Sequence, residues 1–251
     1  MAMWSTKRRF VYGGSFLFVV LVGVVILAWN LLYQAPTCTD GVKNGTEAGI
    51  DCGGSCVNLC SNDALSPTVI WAKVFPISGD VYSVTALVEN PNINSKNAKA
   101  TYDFRLFDED NRPILVESGS TSIPKNKRFA IFKTGIIVRH TVPKFAEFRF
   151  TAFSPWQKDT SVEPEVNVTY GSVETAETAP KVRGTVTNRS IKDIKDIELV
   201  VLVMDADENV IGTSRTYVTN LFRGETQDFV FTWQKPFERP VSVVNVIHRI
   251  P

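Results

Sequence analysis

The sequence predicts a mainly β protein: an N-terminal transmembrane helix followed by two tandem immunoglobulin-like β-sandwich domains. Three observations predict this. No charged residue occurs between Arg9 and Asp40, and most of that stretch is apolar. Beyond Cys60 the chain changes to short alternating runs rich in Val, Thr, Phe and Tyr, punctuated by Gly, Pro and Asn, which is the pattern of half-buried strands. Two parts of that region also share motifs at a nearly constant offset. The corresponding organisation is a cytoplasmic N-terminus over 1–9, a transmembrane anchor over 10–33, a Cys-rich disulfide-stapled stalk over 34–65, and sandwiches over 66–157 and 158–251.

The anchor follows from length. Phe16 to Leu32 reads FLFVVLVGVVILAWNLL, preceded by the uncharged Phe10 to Ser15. About 20 apolar residues at roughly 1.5 Å each cover a hydrocarbon core of about 30 Å. Asn30 falls near the exit, and Trp29 and Tyr33 stand at aromatic-belt positions. Lys7, Arg8 and Arg9 precede the run, whereas Gln34 to Asp63 carries one Lys and four acids, so the positive-inside rule places the N-terminus in the cytoplasm and the rest of the chain outside it. A cleaved signal peptide is the competing reading. It has a shorter apolar core, about 7–15 residues, and Tyr33-Gln34-Ala35 is a poor small-x-small cleavage site. No lipobox precedes Cys38.

Cys38, Cys52, Cys56 and Cys60 are the only cysteines of the chain. On the oxidising side of a membrane an even, tightly spaced set implies disulfides, with three connectivities open for four cysteines. A segment this short has no core of its own, so cross-links replace hydrophobic stabilisation. A four-Cys zinc site is the alternative, disfavoured by the compartment. The segment CTDGVKNGTEAGIDCGGSCVNLC resembles a recurrent short module of surface and secreted proteins, C-x-D-G-x-x-N-G-x-E-x-x-x-D-C-G-G-x-C-x-x-C. It departs from that pattern at the end, where Val57, Asn58 and Leu59 separate the last two cysteines. Asp40, Asn44, Glu47 and Asp51 offer hard oxygen ligands between glycines, a composition suited to calcium. The same residues also make Asx-turns, and the six to eight oxygens that calcium takes are not evident.

The repeat is read from two matches. TALVENPN (Thr85 to Asn92) aligns with RGTVTNRS (Arg183 to Ser190), placing Asn90 on Asn188 at an offset of 98. YDFRLFDEDNRPI (Tyr102 to Ile114) aligns with LVVLVMDADENVI (Leu199 to Ile211) at 97, placing Asp108 on Asp205, Asp110 on Asp207 and, further on, Phe132 on Phe229. The acidic triplets at Asp108 and Asp205 stand at hairpin positions, where Asp favours turns. Units of about 90 residues with several short strands have the size of an immunoglobulin-like sandwich. Phe104, Leu106, Ile131, Phe148 and Phe150 are the expected first core, and Leu199, Val201, Val203, Phe229, Phe231 and Val244 the second. The pattern V-x-G-x-V-x-N followed by V-x-D-x-x-x-x-V-I-G, at Val182 to Asn188 and Val203 to Gly212, resembles the FxLYD and late-embryogenesis-abundant-like families of small β-sandwiches. That resemblance implies accessory envelope modules with no catalytic residues to carry over.

Catalytic chemistry finds little support. No G-x-S-x-G, H-E-x-x-H, Walker A or G-x-G-x-x-G motif occurs, and the chain has two His residues, His140 and His248. With 27 Lys+Arg against 26 Asp+Glu, a charge-driven nucleic-acid binder is excluded as the default. Trp71, Trp156 and Trp233 are candidates for a ligand platform, although core packing is the commoner fate of such rings. Asn44, Asn167 and Asn188 head glycosylation sequons. The expectation is therefore a non-enzymatic, single-pass membrane protein with no cofactor unless calcium, held in the membrane through 10–33. Its expected role is binding, adhesion or scaffolding with envelope proteins or further copies, or alternatively service as a subunit of a surface assembly.

Overall fold

The computed structural model describes residues 2–32 and 37–250. Tyr33, the second aromatic-belt position, and the first residues of the expected stalk lie outside the described residues. Two compact units divide the chain, Met1–Cys56 and Val57–Pro251.

In the first unit, helix α1 (Ala2–Leu32) contains one stretch, Arg9–Asn30, long and apolar enough to cross a membrane. Its apolar side chains, such as Phe16 and Leu21, are exposed rather than packed on protein. Two of its polar side chains fold back on the helix: Ser15 Oγ donates to the Val11 carbonyl and Asn30 Nδ2 to that of Ile26, each at 2.8 Å. That removes the polar groups from competition with an apolar surrounding.

The second unit is a stack of four antiparallel sheets. The first copy has strands β1 (Thr68–Ser78), β2 (Val81–Asn90), β3 (Ser95–Phe107), β4 (Pro113–Ile123), β5 (Lys127–Ile137), β6 (Phe145–Phe153) and β7 (Trp156–Lys158). The second has β8 (Val166–Tyr170), β9 (Lys181–Asn188), β10 (Ile194–Met204), β11 (Val210–Leu221), β12 (Thr226–Thr232) and β13 (Val243–Arg249). Sheet β1-β2-β5 faces β4-β3-β6, with β7 on the end of β3, and sheet β12-β9-β8 faces β11-β10-β13. The two copies therefore share one topology, β8 to β13 repeating β1 to β6 in order.

Alternation fills each core. Val84, Ala86 and Val88 of β2 meet Tyr102, Phe104 and Leu106 of β3, with Ile131 and Phe148 beside them. In the second copy Val182 and Val186 meet Leu199, Val201 and Val203, closed by Phe229 and Phe231. Phe150 and Val244 are half-buried at the margins of these cores. Cross-strand pairing corrects one part of the repeat alignment. Ala86 stands opposite Ile131 and Gly184 opposite Phe229, so Ile131, at an offset of 98, is the equivalent of Phe229. Phe132 points to the other face, because a one-residue slip in a strand exchanges its faces.

The aligned turn residues do the same work in both copies. Asp108 Oδ1 accepts the Arg112 amide and Asp205 Oδ1 the Asn209 amide, each at 2.8 Å, and Asn111 and Glu208 both take φ 61°. Asn90 Nδ2 donates to Ser95 O and Pro124 O, and Asn188 Nδ2 to Lys192 O and Leu221 O. Both Asn residues are fully buried, so each is an internal clasp that satisfies two carbonyls at once. Replacing Asn188 with Ala is expected to destabilise the unit by about 2 kcal/mol or more, since it strands those carbonyls away from water. Urea unfolding checks this, and a change below about 0.5 kcal/mol would contradict the clasp.

The expected stalk is not one element. Residues 57–65 belong to the β-rich unit: the Leu59 amide donates to Trp156 O and the Lys158 amide to Val57 O, both at 2.8 Å, while Leu59 and Ala64 pack on the first core.

Candidate functional site

The Cys-rich segment is a closed turn network. Cys38 is bonded to Cys56, and Cys52 and Cys60 are likewise disulfide-bonded, leaving no free cysteine. Asp40 accepts the Asn44 side-chain amide at 2.9 Å and the backbone amides of Val42 at 2.9 Å and Thr37 at 3.1 Å. These bonds, led by Asn44, bring its carboxyl from the usual 3.8 down to about 2. Asp51 takes the Gly41 amide on both oxygens, and Glu47 Oε2 takes the amides of Asn44 and Asp51. Gly54, at φ +52°, lies so close to the Thr46 carbonyl that a Cβ would sit 1.6 Å from its oxygen, so only glycine fits. The motif residues thus make the turns of the segment.

Of the four calcium candidates, Asp40, Asp51 and Glu47 Oε2 direct their oxygens at amide donors of the segment, Glu47 Oε1 lies 3.4 Å from the Cys56 sulfur, and Asn44 Oδ1 is buried without a partner. Among the described residues the group with His, Cys or acid ligand atoms within 4.8 Å of one another is Cys38, Glu47 and Cys56. Its sulfurs are joined in the disulfide and offer no thiolate to a metal.

A second constellation lies at the seam between the sandwiches. Strand β2 is buried on both faces from Tyr82 to Ala86, and β10 from Ile197 to Val203. The outward faces of their two sheets build a third apolar cluster: Phe75 of β1 and Ala130 of β5 against Val200 and Leu202 of β10 and Val210 of β11, rimmed by Trp71, Phe132, Met204 and Ile247. Thr85 and Thr213 share a buried hydroxyl–hydroxyl hydrogen bond of 2.8 Å across it.

Beside that cluster sits Glu198, 1% exposed. Its Oε2 accepts from Arg249 Nε, and its Oε1 from Arg215 at 3.3 Å and the Tyr217 hydroxyl at 3.1 Å. Both guanidiniums continue into the first copy. Arg249 donates to Thr121 Oγ1 at 2.8 Å and Ser122 O at 3.2 Å, and Arg215 to Phe132 O at 3.0 Å. Arg215 also stacks over Phe132 and Arg249 over Phe129, at 5.2 and 5.7 Å. A buried carboxylate with two guanidiniums that end on the opposite sandwich fixes how one copy seats on the other. None of these residues stood out in the sequence as a site. The available signal was the unbroken apolar run Leu199 to Val203, since a strand covered on both faces loses its alternation.

The seam joins unlike faces. Glu198, Val200, Leu202 and Met204 occupy the positions of Thr101, Asp103, Arg105 and Phe107, which in the first copy face outward, with Asp103 paired to Arg149 at 3.1 Å. The far sheet of the second copy presents Arg183, Thr185 and Thr187, with Thr hydroxyls paired across strands at 2.7 and 2.8 Å. Unlike-face packing is open-ended by geometry, and polar outer faces end it, as capping repeats do in solenoids.

The remaining candidates are dispersed. Trp156 is buried in the first core, Trp71 rims the seam, and Trp233 packs on the second core with Nε1 donating to Thr213 O, so the three form no single platform. His140 is an exposed turn residue at φ 70°. Burial, and then the charge of Lys127, push His248 below the usual imidazole range. Burial opposes ionisation of Asp205, but Arg239 at 2.9 Å and the amides of Asn209 and Asp207 outweigh it, and its carboxyl lies below the usual range. Asn188 of the third sequon is inaccessible to a glycosylating enzyme in the folded chain.

No protein-family model matches the chain, and no curated protein matches it. Among solved structures, similarity is found to a transglutaminase of red sea bream, at 10% identity over 76% of this chain and 32% of that one, TM-score 0.24. An exo-chitosanase of Amycolatopsis orientalis is similar at 14% identity over 60% of this chain and 22% of that one, TM-score 0.21. The chain spans about a third and about a fifth of those proteins, and at such scores neither likeness bears on function.

Proposed function

We propose that the protein is held in a membrane by α1 with its N-terminus in the cytoplasm, and that its β-rich part acts outside the cytoplasm as a rigid, non-catalytic binding or scaffolding module. The observation that carries this reading is the seam. Evolving a buried Arg–Glu–Arg network and an apolar cluster between two copies of one sandwich favours a fixed presenting surface over independent domains. The two buried carboxylates among the described residues, Glu198 and Asp205, are both engaged by guanidiniums. Lys7, Arg8 and Arg9 before the apolar stretch support the orientation, and disulfide-bonded cysteines support an oxidising compartment. The polar outer faces favour a self-contained module over a subunit that stacks through its sheet faces.

Protease treatment of intact cells stripped of any outer layer tests the reading. Digestion of the β-rich part without lysis is expected, leaving a short fragment protected by the membrane. Protection of the whole chain until lysis would overturn the orientation.

A further inference from the structure

The seam opens on one side into a cleft of about 1010 Å³ between β1 and β11, walled by the loop that follows β12. Its lining combines flat rings with positive charge. Phe145 is 55% exposed there, and Phe237 and Trp233, packed edge-to-face at 5.1 Å, form the opposite wall. Phe237 takes that position because Gly212 beneath it has no side chain: a Cβ there would stand 2.4 Å from the ring. The cations of the lining are Lys73, Lys144, Arg215, Lys235 and Arg239, against the single acid Glu238. Arg215 and Arg239 are engaged by Glu198 and Asp205. Lys144 and Lys235 are exposed and have no ion-pair partner among the described residues. The cleft therefore keeps free positive charge beside the exposed Phe145 ring and the partly buried rings of Trp233 and Phe237.

We propose that this cleft binds an acidic glycan, a sugar polymer carrying carboxylates. It rests on the binding reading above and names the ligand class for it. Pyranose rings offer apolar C–H faces to Phe145, Trp233 and Phe237, while their carboxylates meet Lys144 and Lys235. A cleft of this volume accommodates a few sugar residues and is open enough for a chain to run through. An acidic peptide supplies the charge without a rigid ring face, so it uses only half of the lining.

The test is titration of the purified full-length protein in detergent with oligogalacturonate, beside neutral malto-oligosaccharides and polyglutamate. Oligogalacturonate is expected to bind, more weakly as salt rises, with the neutral sugar not binding and polyglutamate at least several-fold weaker. Lys144→Glu with Lys235→Glu is expected to weaken binding about tenfold or more, and Phe145→Ala severalfold, with unfolding midpoints unchanged because all three side chains are exposed. Absence of oligogalacturonate binding would overturn the proposal, as would binding indifferent to the lysine reversals. Equal binding of polyglutamate, unaffected by Phe145→Ala, would replace it with an acidic-peptide site. This assay does not depend on topology, so its failure is separable from failure of the protease experiment.

Discussion

Replacing Glu198 with Ala is expected to lower the stability of the β-rich unit by about 3–5 kcal/mol, because it leaves the largely buried Arg249 and the partly buried Arg215 without their counter-charge. The side chain of Arg249 is 13% exposed and that of Arg215 27%, so Arg249 bears most of the cost and Arg215 recovers part of its hydration. Denaturant unfolding reads the loss, and a change below about 1 kcal/mol would show that the network is solvated. Glu198→Gln keeps shape and acceptor but not charge, and is expected to cost less. Replacing all three groups together by apolar residues of similar volume is expected to be close to neutral, since the desolvation of three charges offsets much of their attraction. That contrast separates a network that orients the copies from one that merely stabilises them.

Replacing Cys38 and Cys56 with Ser is expected to cost the Cys-rich segment about 3 kcal/mol, the loss that chain entropy assigns to a loop of roughly this length. The bond joins residues 18 apart, in a unit whose described residues bury no apolar side chain fully except Cys56 itself, while Val42 and Ile50 are exposed. With no core to compensate, the segment is expected to become protease-sensitive between Thr37 and Cys56, and the β-rich unit, which has its own cores, to keep its unfolding midpoint. Limited proteolysis and urea unfolding of the double variant check both parts. Unchanged protease resistance would mean that the disulfide at Cys52 and the amide bonds to Asp40, Glu47 and Asp51 suffice without the Cys38–Cys56 bond.

Where one face of a strand is buried, the sequence was legible. The alternation at Phe104, Leu106 and Phe148 placed the first core correctly, and Asp108 and Asp205 marked turns in which each carboxylate accepts the amide four residues on. The hairpin position of Asp108 implied a strand after it, but the extent of β4 was not legible, because ESGSTS within Pro113–Ile123 has no apolar alternation: it is an edge strand, and Gly119 leaves room there for the Tyr102 ring. The seam was illegible for a different reason. Periodicity identifies a buried face but not what covers it: Ile131 was legible as core, but nothing in the pattern showed that Phe132, aligned with Phe229 by offset alone, lies against the second copy. In the Cys-rich segment the cysteines and their oxidation were legible, but connectivity depends on the turn that Gly54 permits. The acidic residues there had two chemical readings, and composition does not distinguish an oxygen facing a cation from one facing an amide.

The two copies of one sandwich form a single body through unlike faces. Spin labels on engineered cysteines at Val116 of β4 and Val230 of β12, both exposed, test it most directly in the full-length protein, whose native cysteines are disulfide-bonded. Pulsed dipolar spectroscopy is expected to give one narrow distance distribution, broadened by Glu198→Ala. A broad or multimodal distribution in the unmodified background would show that the copies move independently and would contradict the account.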